Sequence, residues 1–393
     1  MVVNILLTVL ALLLIFVTLL DGFETIVLPR RVDRKLRMAR LFYRTTWQVC
    51  RGMARKIKSS RRREYILSIY GPFSLILLLA LWACLLILAF ALLQYSMGST
   101  LSAPEHDVTF ATDLYLSGTT FFTLGLGDVY PRTGLPRFCT VCEAGMGIAF
   151  LALIIGYVPV IYQAFSRRES QISLLDARAG SPPSAAEFLR RHLEGKNDPA
   201  ELLDHLRSWE RWSADILESH LSYPVLTYYR SQHERQSWLS ALTTILDVSA
   251  LLMIELDGIP AQVGRFTFAI ARHTAVDLVQ AFGIRPIPPE TDRLSTEQFK
   301  QLCTYLHEAG LPIQQIEMAE DRVAELRAMY EPFVNALARF LLLPLPEWLL
   351  ENVSADDWQT SAWDHFSLVK QRPLNRLKAT EKTGEDTREH SHI

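Results

Sequence analysis

The sequence predicts an all-α membrane protein. It should have three transmembrane helices, a short helix and loop re-entering the membrane between the second and third, and an α-helical cytoplasmic domain. Three observations carry this expectation. Long uncharged apolar runs lie near the N-terminus and on both sides of residues 105–137. Between the last two runs sits Thr119-Thr120-Phe121-Phe122-Thr123-Leu124-Gly125-Leu126-Gly127-Asp128, with glycine at alternate positions. Beyond residue 166, helix caps and apolar residues at helical spacing dominate.

The first element is Val2 to Leu20, which carries no charge. Nineteen residues make a helical rod of about 28 Å, close to the hydrocarbon thickness. No Lys or Arg precedes this run, and no small-residue cleavage site comes before Asp21-Gly22-Phe23-Glu24. A retained anchor, residues 1–24, is therefore expected rather than a signal peptide. The second span lies in the uncharged run Tyr65 to Pro104. Gly71-Pro72 is expected to break it, so Phe73 to Tyr95 would cross. The third span is expected from Phe138 to Tyr162, and residues 65–166 form one membrane module.

Charge sets the expected orientation. The formal net charge is −2, but Arg30 to Arg63 holds fourteen Lys and Arg against one acid, Asp33. That segment (residues 25–64) is expected on the cytoplasmic side. The N-terminus then lies outside, the loop before the third span faces outward, and everything after Ser166 is cytoplasmic. Arg167 and Arg168, just past the third span, agree. Arg31, Arg34, Arg37 and Arg40 recur every third residue, as in a voltage sensor. Asp33 and Lys35 intrude between them and only one apolar helix precedes, so a basic helix on anionic lipid is the expected reading. Leu36, Leu41, Phe42 and Trp47 supply its apolar side.

The decamer has a physical rationale. A dehydrated cation must be held by oxygen, and a line of inward backbone carbonyls replaces its water shell. Aiming successive carbonyls one way needs unusual backbone angles, which Gly125 and Gly127 supply. Thr109 to Phe122 reads as a short helix whose negative end favours a cation below the loop. With its flanking apolar spans, the motif resembles the selectivity filter of the tetrameric potassium channel superfamily, T-x-G-x-G-D after a pore helix. The two-span module is similar to one pore domain of two-pore-domain potassium channels. The resemblance covers about Phe73 to Tyr162.

The resemblance implies K⁺ sites at the carbonyls of Thr123, Leu124, Gly125 and Leu126, with Gly127 completing the line and Asp128 at the outer mouth. It implies four copies per pore, hence a homotetramer. Leu126 stands where the family commonly has Tyr, and Phe122 where a second Thr is usual; both bear on filter support. Between Met97 and Arg137, Glu105, Asp107, Asp113 and Asp128 face Arg132 and Arg137, an excess of acid that would concentrate cations. Gly145, Gly147 and Gly156 offer close contacts or hinges in the third span. Pro159 offers a kink resembling an inner gate, or simply marks a helix end. Glu143 either braces the filter from behind or sits at headgroup level. Cys139 and Cys142 read as small apolar residues of a membrane helix rather than a metal pair.

The cytoplasmic domain is expected over residues 167–369, with a disordered tail at 370–393. Ser184-x-x-Glu187 and Ser295-x-x-Gln298 are capping boxes, and Asp198-Pro199 starts a helix. Apolar spacing runs through Phe188 to His192, Leu202 to Leu217, Phe266 to Phe282, Phe299 to Leu306 and Ile316 to Leu343. Trp238 to Leu256 is apolar, but Asp247 at its centre makes it a buried core helix. The stretch Tyr223 to His233, with Glu218 and His220, reads as buried interior, with a pocket or metal site as the alternative. No G-x-G-x-x-G turn, jelly-roll pattern or nucleophile motif is found, so neither an enzyme nor a nucleotide-binding module is expected. No cofactor beyond permeant K⁺ and no nucleic-acid partner is expected, and the domain's own ligand is unknown. The expected function is a K⁺-selective channel in the cell (plasma or inner) membrane. A non-selective cation channel, or a membrane-anchored sensor with a vestigial pore, are the alternatives.

Overall fold

The computed structural model describes residues 1–28, 37–104, 107–193, 200–232, 236–254, 262–311, 313 and 315–350. The expected tail at 370–393, Arg31, Arg34 and the Asp198-Pro199 helix start lie outside them. The chain divides into two compact units. One comprises Met1–Arg168 with Asp215–Ser231; the other comprises Glu169–Ala214 with Gln232–Ile393.

Three helices are long and apolar enough to cross a membrane, which makes this a multi-span α-helical membrane protein. They are α1 (Val2–Gly22), which continues to Val27 in a wider π turn, α3 (Ser60–Ser96) and α5 (Gly134–Ala179). Between α1 and α3 lies α2 (Met38–Lys56). Between α3 and α5 come β1 (Leu101–Ser102), α4 (Phe110–Phe121) and β2 (Tyr130–Pro131). The two strands pair antiparallel, Leu101 opposite Pro131, and close the base of the α4 excursion.

The expected break at Gly71-Pro72 is absent: α3 runs unbroken through Pro72. A proline ring removes one helical hydrogen bond, at a cost of about 3 kcal/mol in an isolated helix. Here packing offsets that cost. Gly71 seats its backbone against the Tyr229 ring, and Ser74 Oγ donates to the Gly71 carbonyl at 2.8 Å.

Polar ties fix the register of the apolar helices. Asp21, fully buried near the end of α1, accepts from Ala39 N of α2 at 2.9 Å and from Trp82 Nε1 of α3 at 3.1 Å. One carboxylate thus joins three helices. Thr8 of α1 meets Ser96 of α3 at 2.8 Å, and Gln94 Nε2 donates to Pro136 O and Thr140 Oγ1 of α5.

The second unit consists of helices among its described residues: α5 beyond Arg168, α6 (Ala185–Leu193), α7 (Ala200–Ser222) up to Ala214, α8 (Trp238–Leu252), α9 (Gln262–Phe282), α10 (Thr296–Glu308), α11 (Ile316–Ala328) and α12 (Glu331–Leu341). The run expected as one helix from Ile316 to Leu343 is two, because Pro332 sits in the first turn of α12 and cannot continue α11. Helix α8 is buried along its whole length, as a core helix must be. Its Asp247 carboxylate accepts from Arg293 Nη2 and from the Tyr330 hydroxyl, both at 2.5 Å. Burial pushes that carboxyl up and Arg293 opposes it, leaving it at about 6.

Glu187 at the start of α6 is the opposite case. Burial alone would raise its carboxyl, but hydrogen bonds from Arg190, Tyr305 and Arg191 outweigh burial and hold it at about 2. Its folded value lies below the ordinary 4.5, so its stabilisation is complete above pH 4.5 and lost as pH falls towards 2. Thermal unfolding of the full chain in detergent should therefore show a stability loss across that window. Glu187→Gln should lower stability at neutral pH and flatten the loss. An equally steep acid limb in the variant would show that Glu187 does not carry it.

Candidate functional site: the α4 helix and the 122–128 loop

Helix α4 is built to start and stop abruptly. Thr109 and Thr112 form a reciprocal capping box at its start. Its end tightens through Phe122 N to Gly118 O and Thr123 N to Thr120 O, at 3.1 and 3.0 Å. The chain then reverses: Leu124 N donates to Thr119 O at 2.8 Å.

Beyond this point the backbone alternates. Thr123, Gly125 and Gly127 have φ of +56°, +57° and +77°. Glycine tolerates that region freely, whereas Thr123 carries a cost of about 1–2 kcal/mol. Left-handed backbone thus recurs at every second residue from 123 to 127. Leu124 and Leu126 stand exposed between them. Tyr115 of α4 donates from its hydroxyl to Asp128 Oδ2 at 2.9 Å, tying the far end of the loop to the helix before it.

The loop is held from behind by α3 and α5. Phe121 is buried against Ala83 and Leu86 of α3 and Phe150 of α5. Phe122, expected as support, is 60% exposed and touches Phe121 edge-on at 5.5 Å. Gly147 of α5 is the close contact, because a Cβ there would lie 2.0 Å from the Phe121 carbonyl oxygen. Gly145 and Gly156 have room for a Cβ, and Pro159 lies within α5.

Glu143 lies on α5 and is 1% exposed, so it belongs to the protein interior. Ser117 of α4 hydrogen-bonds its Oε1 and also reaches the Ile87 carbonyl of α3 at 2.7 Å. One hydroxyl thus bridges three helices directly behind the loop. Among the described residues the other oxygen, Oε2, has no hydrogen-bond partner. Asp113, one turn before Ser117, is also buried and accepts from Ser99 at 2.7 Å.

Sequence reasoning missed a second feature of this unit. Residues Pro224–Tyr228 form a 3₁₀ turn packed on the membrane helices. The Tyr228 ring meets Tyr43, Trp47 and Tyr70 at 5.9, 5.0 and 5.3 Å, and Tyr223 meets Tyr157 of α5 at 5.7 Å. Buried Arg168 fixes the turn by donating to the Leu226 and Tyr229 carbonyls, each at 2.9 Å. The aromatic density of Tyr223 to Tyr229 was the available signal, but a sequence does not say which helices such a cluster meets.

Residues 77–163, the segment holding this geometry, match a family model described as "Ion channel". The match supports a channel-type superfamily and ion transport at the level of that family, with no enzymatic activity implied. The chain is also similar to the "Uncharacterized membrane protein YdjJ" of Bacillus subtilis (strain 168). Identity is 24% over 306 residues, covering 75% of this chain and 83% of that protein. No solved structure matches.

Two outcomes follow from this packing. Gly147→Ala should lower thermal stability in detergent by about 1–3 kcal/mol or more, since backbone must move, while Gly145→Ala should stay near native. Equal stability of the two variants would remove the role given to Gly147. Ser117→Ala should cost about 1–3 kcal/mol by stranding a buried carboxyl, and adding Glu143→Leu should recover most of it. Additive losses in the double variant, read by denaturant unfolding, would break the coupling.

Proposed function

We propose that the chain forms a homotetrameric, K⁺-selective channel, with one filter strand per copy. The carrying observation is the alternating backbone of Thr123, Gly125 and Gly127, because a row of carbonyls turned one way is what a dehydrated cation needs. In this reading Thr123, Leu124, Gly125, Leu126 and Gly127 line the ion path and α4 is the pore helix. Asp128 stands at the outer mouth, and Glu143 braces the filter from behind. Helix α5 is the inner, pore-lining helix, with Gly145, Gly147, Gly156 and Pro159 as its hinge or gate region. The N-terminus lies outside and the second unit in the cytoplasm, on the strength of the basic segment between α1 and α3.

The ion-channel match over 77–163 supports the pore, and the exposed apolar side chains of α5, among them Val141, Ile148 and Ile155, suit contacts with lipid or neighbouring copies. A non-selective cation channel is the competing reading. Leu126 favours it: the side chain stands exposed and has no hydroxyl to bond into a collar around the filter.

Purified protein in liposomes should pass K⁺ and exclude Na⁺, and Gly125→Asp should reduce K⁺ flux to that of empty liposomes. Equal K⁺ and Na⁺ fluxes would establish the non-selective reading. A monomeric mass in detergent together with absent flux would end the channel reading.

A further inference from the structure

Helix α5 is held at two places in the first unit. Towards its start, Gly147 lies against the Phe121 carbonyl. Towards Arg168, it meets the chain around the Pro224–Tyr228 turn. Tyr157 meets the Tyr223 ring at 5.7 Å, and Phe165 the Tyr229 ring at 5.5 Å. Arg168, 1% exposed, donates to the Leu226 and Tyr229 carbonyls and lies over the Phe165 ring at 5.1 Å. His220 completes the hold. A carbonyl can only accept, so Nδ1–H of His220 donates to Ile216 O at 2.9 Å. The Nε2 lone pair is then left for Arg168 Nη1 at 3.3 Å. Between the two holds lie Gly156, with room for a Cβ, and Pro159, which removes one helical hydrogen bond.

The turn is wedged on its other side. Tyr228 packs on Trp47 of α2 and Tyr70 of α3. Tyr229 lies so close to Gly71 of α3 that a Cβ there would be 2.7 Å from the ring. The turn follows directly on α7, a 23-residue helix that begins in the second unit and ends in the first. A helix moves as a stiff element, so a displacement of α7 reaches the turn. The turn in turn holds α5 through two carbonyls and two rings, and it cannot shift without carrying that part of α5.

We propose that the Tyr223–Tyr229 turn is the coupling element through which the second unit sets the gate region of α5, with Arg168 as its positioning residue. The inference rests on the reading of α5 as the pore-lining helix. Moored by Arg168, the α5 residues beyond Pro159 stay beside the turn. Released, they swing about Gly156 and Pro159, and the exposed Ile155, Val158 and Tyr162 of neighbouring copies gather and expel water from the path. The moored arrangement is therefore the conducting one.

The test uses the full chain, with tetramer mass read in detergent and K⁺ flux in liposomes counted per tetramer. R168M should lower that flux about tenfold and leave the preference for K⁺ over Na⁺ unchanged, a split that loss of fold would not produce. R168K keeps the charge but not the two-pronged reach. It should show a smaller fall in the same direction, and it decides the test if R168M does not fold. Hydrogen exchange in R168M should quicken at the Leu226 and Tyr229 amides, which bond within the turn, and stay native at the Leu124 amide. A loosened turn with native flux per tetramer would overturn the coupling. So would a flux that falls only in step with lost tetramer, which would make Arg168 purely structural. Wild-type protein that is monomeric and passes no ion would end the channel reading itself, and the coupling with it.

Discussion

The 122–128 loop depends on one close approach of two backbones, that of Gly147 on α5 to the Phe121 carbonyl at the end of α4. At that distance no side chain fits between them, so α5 and the end of α4 share one position. Hydrophobic burial would not set this. Apolar side chains in lipid gain little from one neighbour over another, and close packing of small residues is what selects an arrangement. The glycine lets α5 come close enough for Phe150 to cover Phe121 and for Glu143 to reach Ser117.

Polar groups then fix what packing leaves free. A backbone or carboxyl group stranded away from water costs several kcal/mol, so each must find a partner and each partner fixes a register. Asp21 chooses how α2 and α3 meet the end of α1. Ser117 chooses how α4 sits between α3 and α5. In the second unit Asp247 does the same work through Arg293 and Tyr330. Breaking a buried pair of that kind costs about 3–5 kcal/mol, more than most single apolar contacts supply. These few residues carry specificity that the surrounding leucines cannot.

Much of this was legible in the sequence, and the division has a physical basis. Local signals read correctly: charge-free runs of spanning length, the capping box at Ser295, the unusual backbone angles at Gly125 and Gly127, and Asp247 as the mark of a buried helix. Long-range partners did not. Asp21 read as the end of an apolar run, although it is a three-helix junction. The stretch Tyr223 to His233 read as generic interior, since nothing local says that Tyr223 and Tyr228 pack on Tyr43, Trp47, Tyr70 and Tyr157. Pro72 read as a break because local propensity is the whole of what a sequence window contains. The Tyr229 ring beside Gly71 lies far away in the chain. Glu143 was placed behind the loop as one of two options, and its partner Ser117 emerged only from the packing of α4.

The same division bears on the loop itself. Thr123 holds a left-handed backbone that costs it free energy, and such strain persists only where surroundings over-determine it. Within one chain the restraints lie on one side: Leu124 N on Thr119 O, Phe121 under α5, and Tyr115 on Asp128. Leu124 and Leu126 at the other positions are large apolar side chains, both more than half exposed. A loop strained on one side and apolar on the other is half of a packed element. Surrounding each loop by three copies of itself would bury those leucines and turn the carbonyl rows towards a common axis. In the proposed channel, the rigidity of the loop would come from apolar packing and the Tyr115–Asp128 bond.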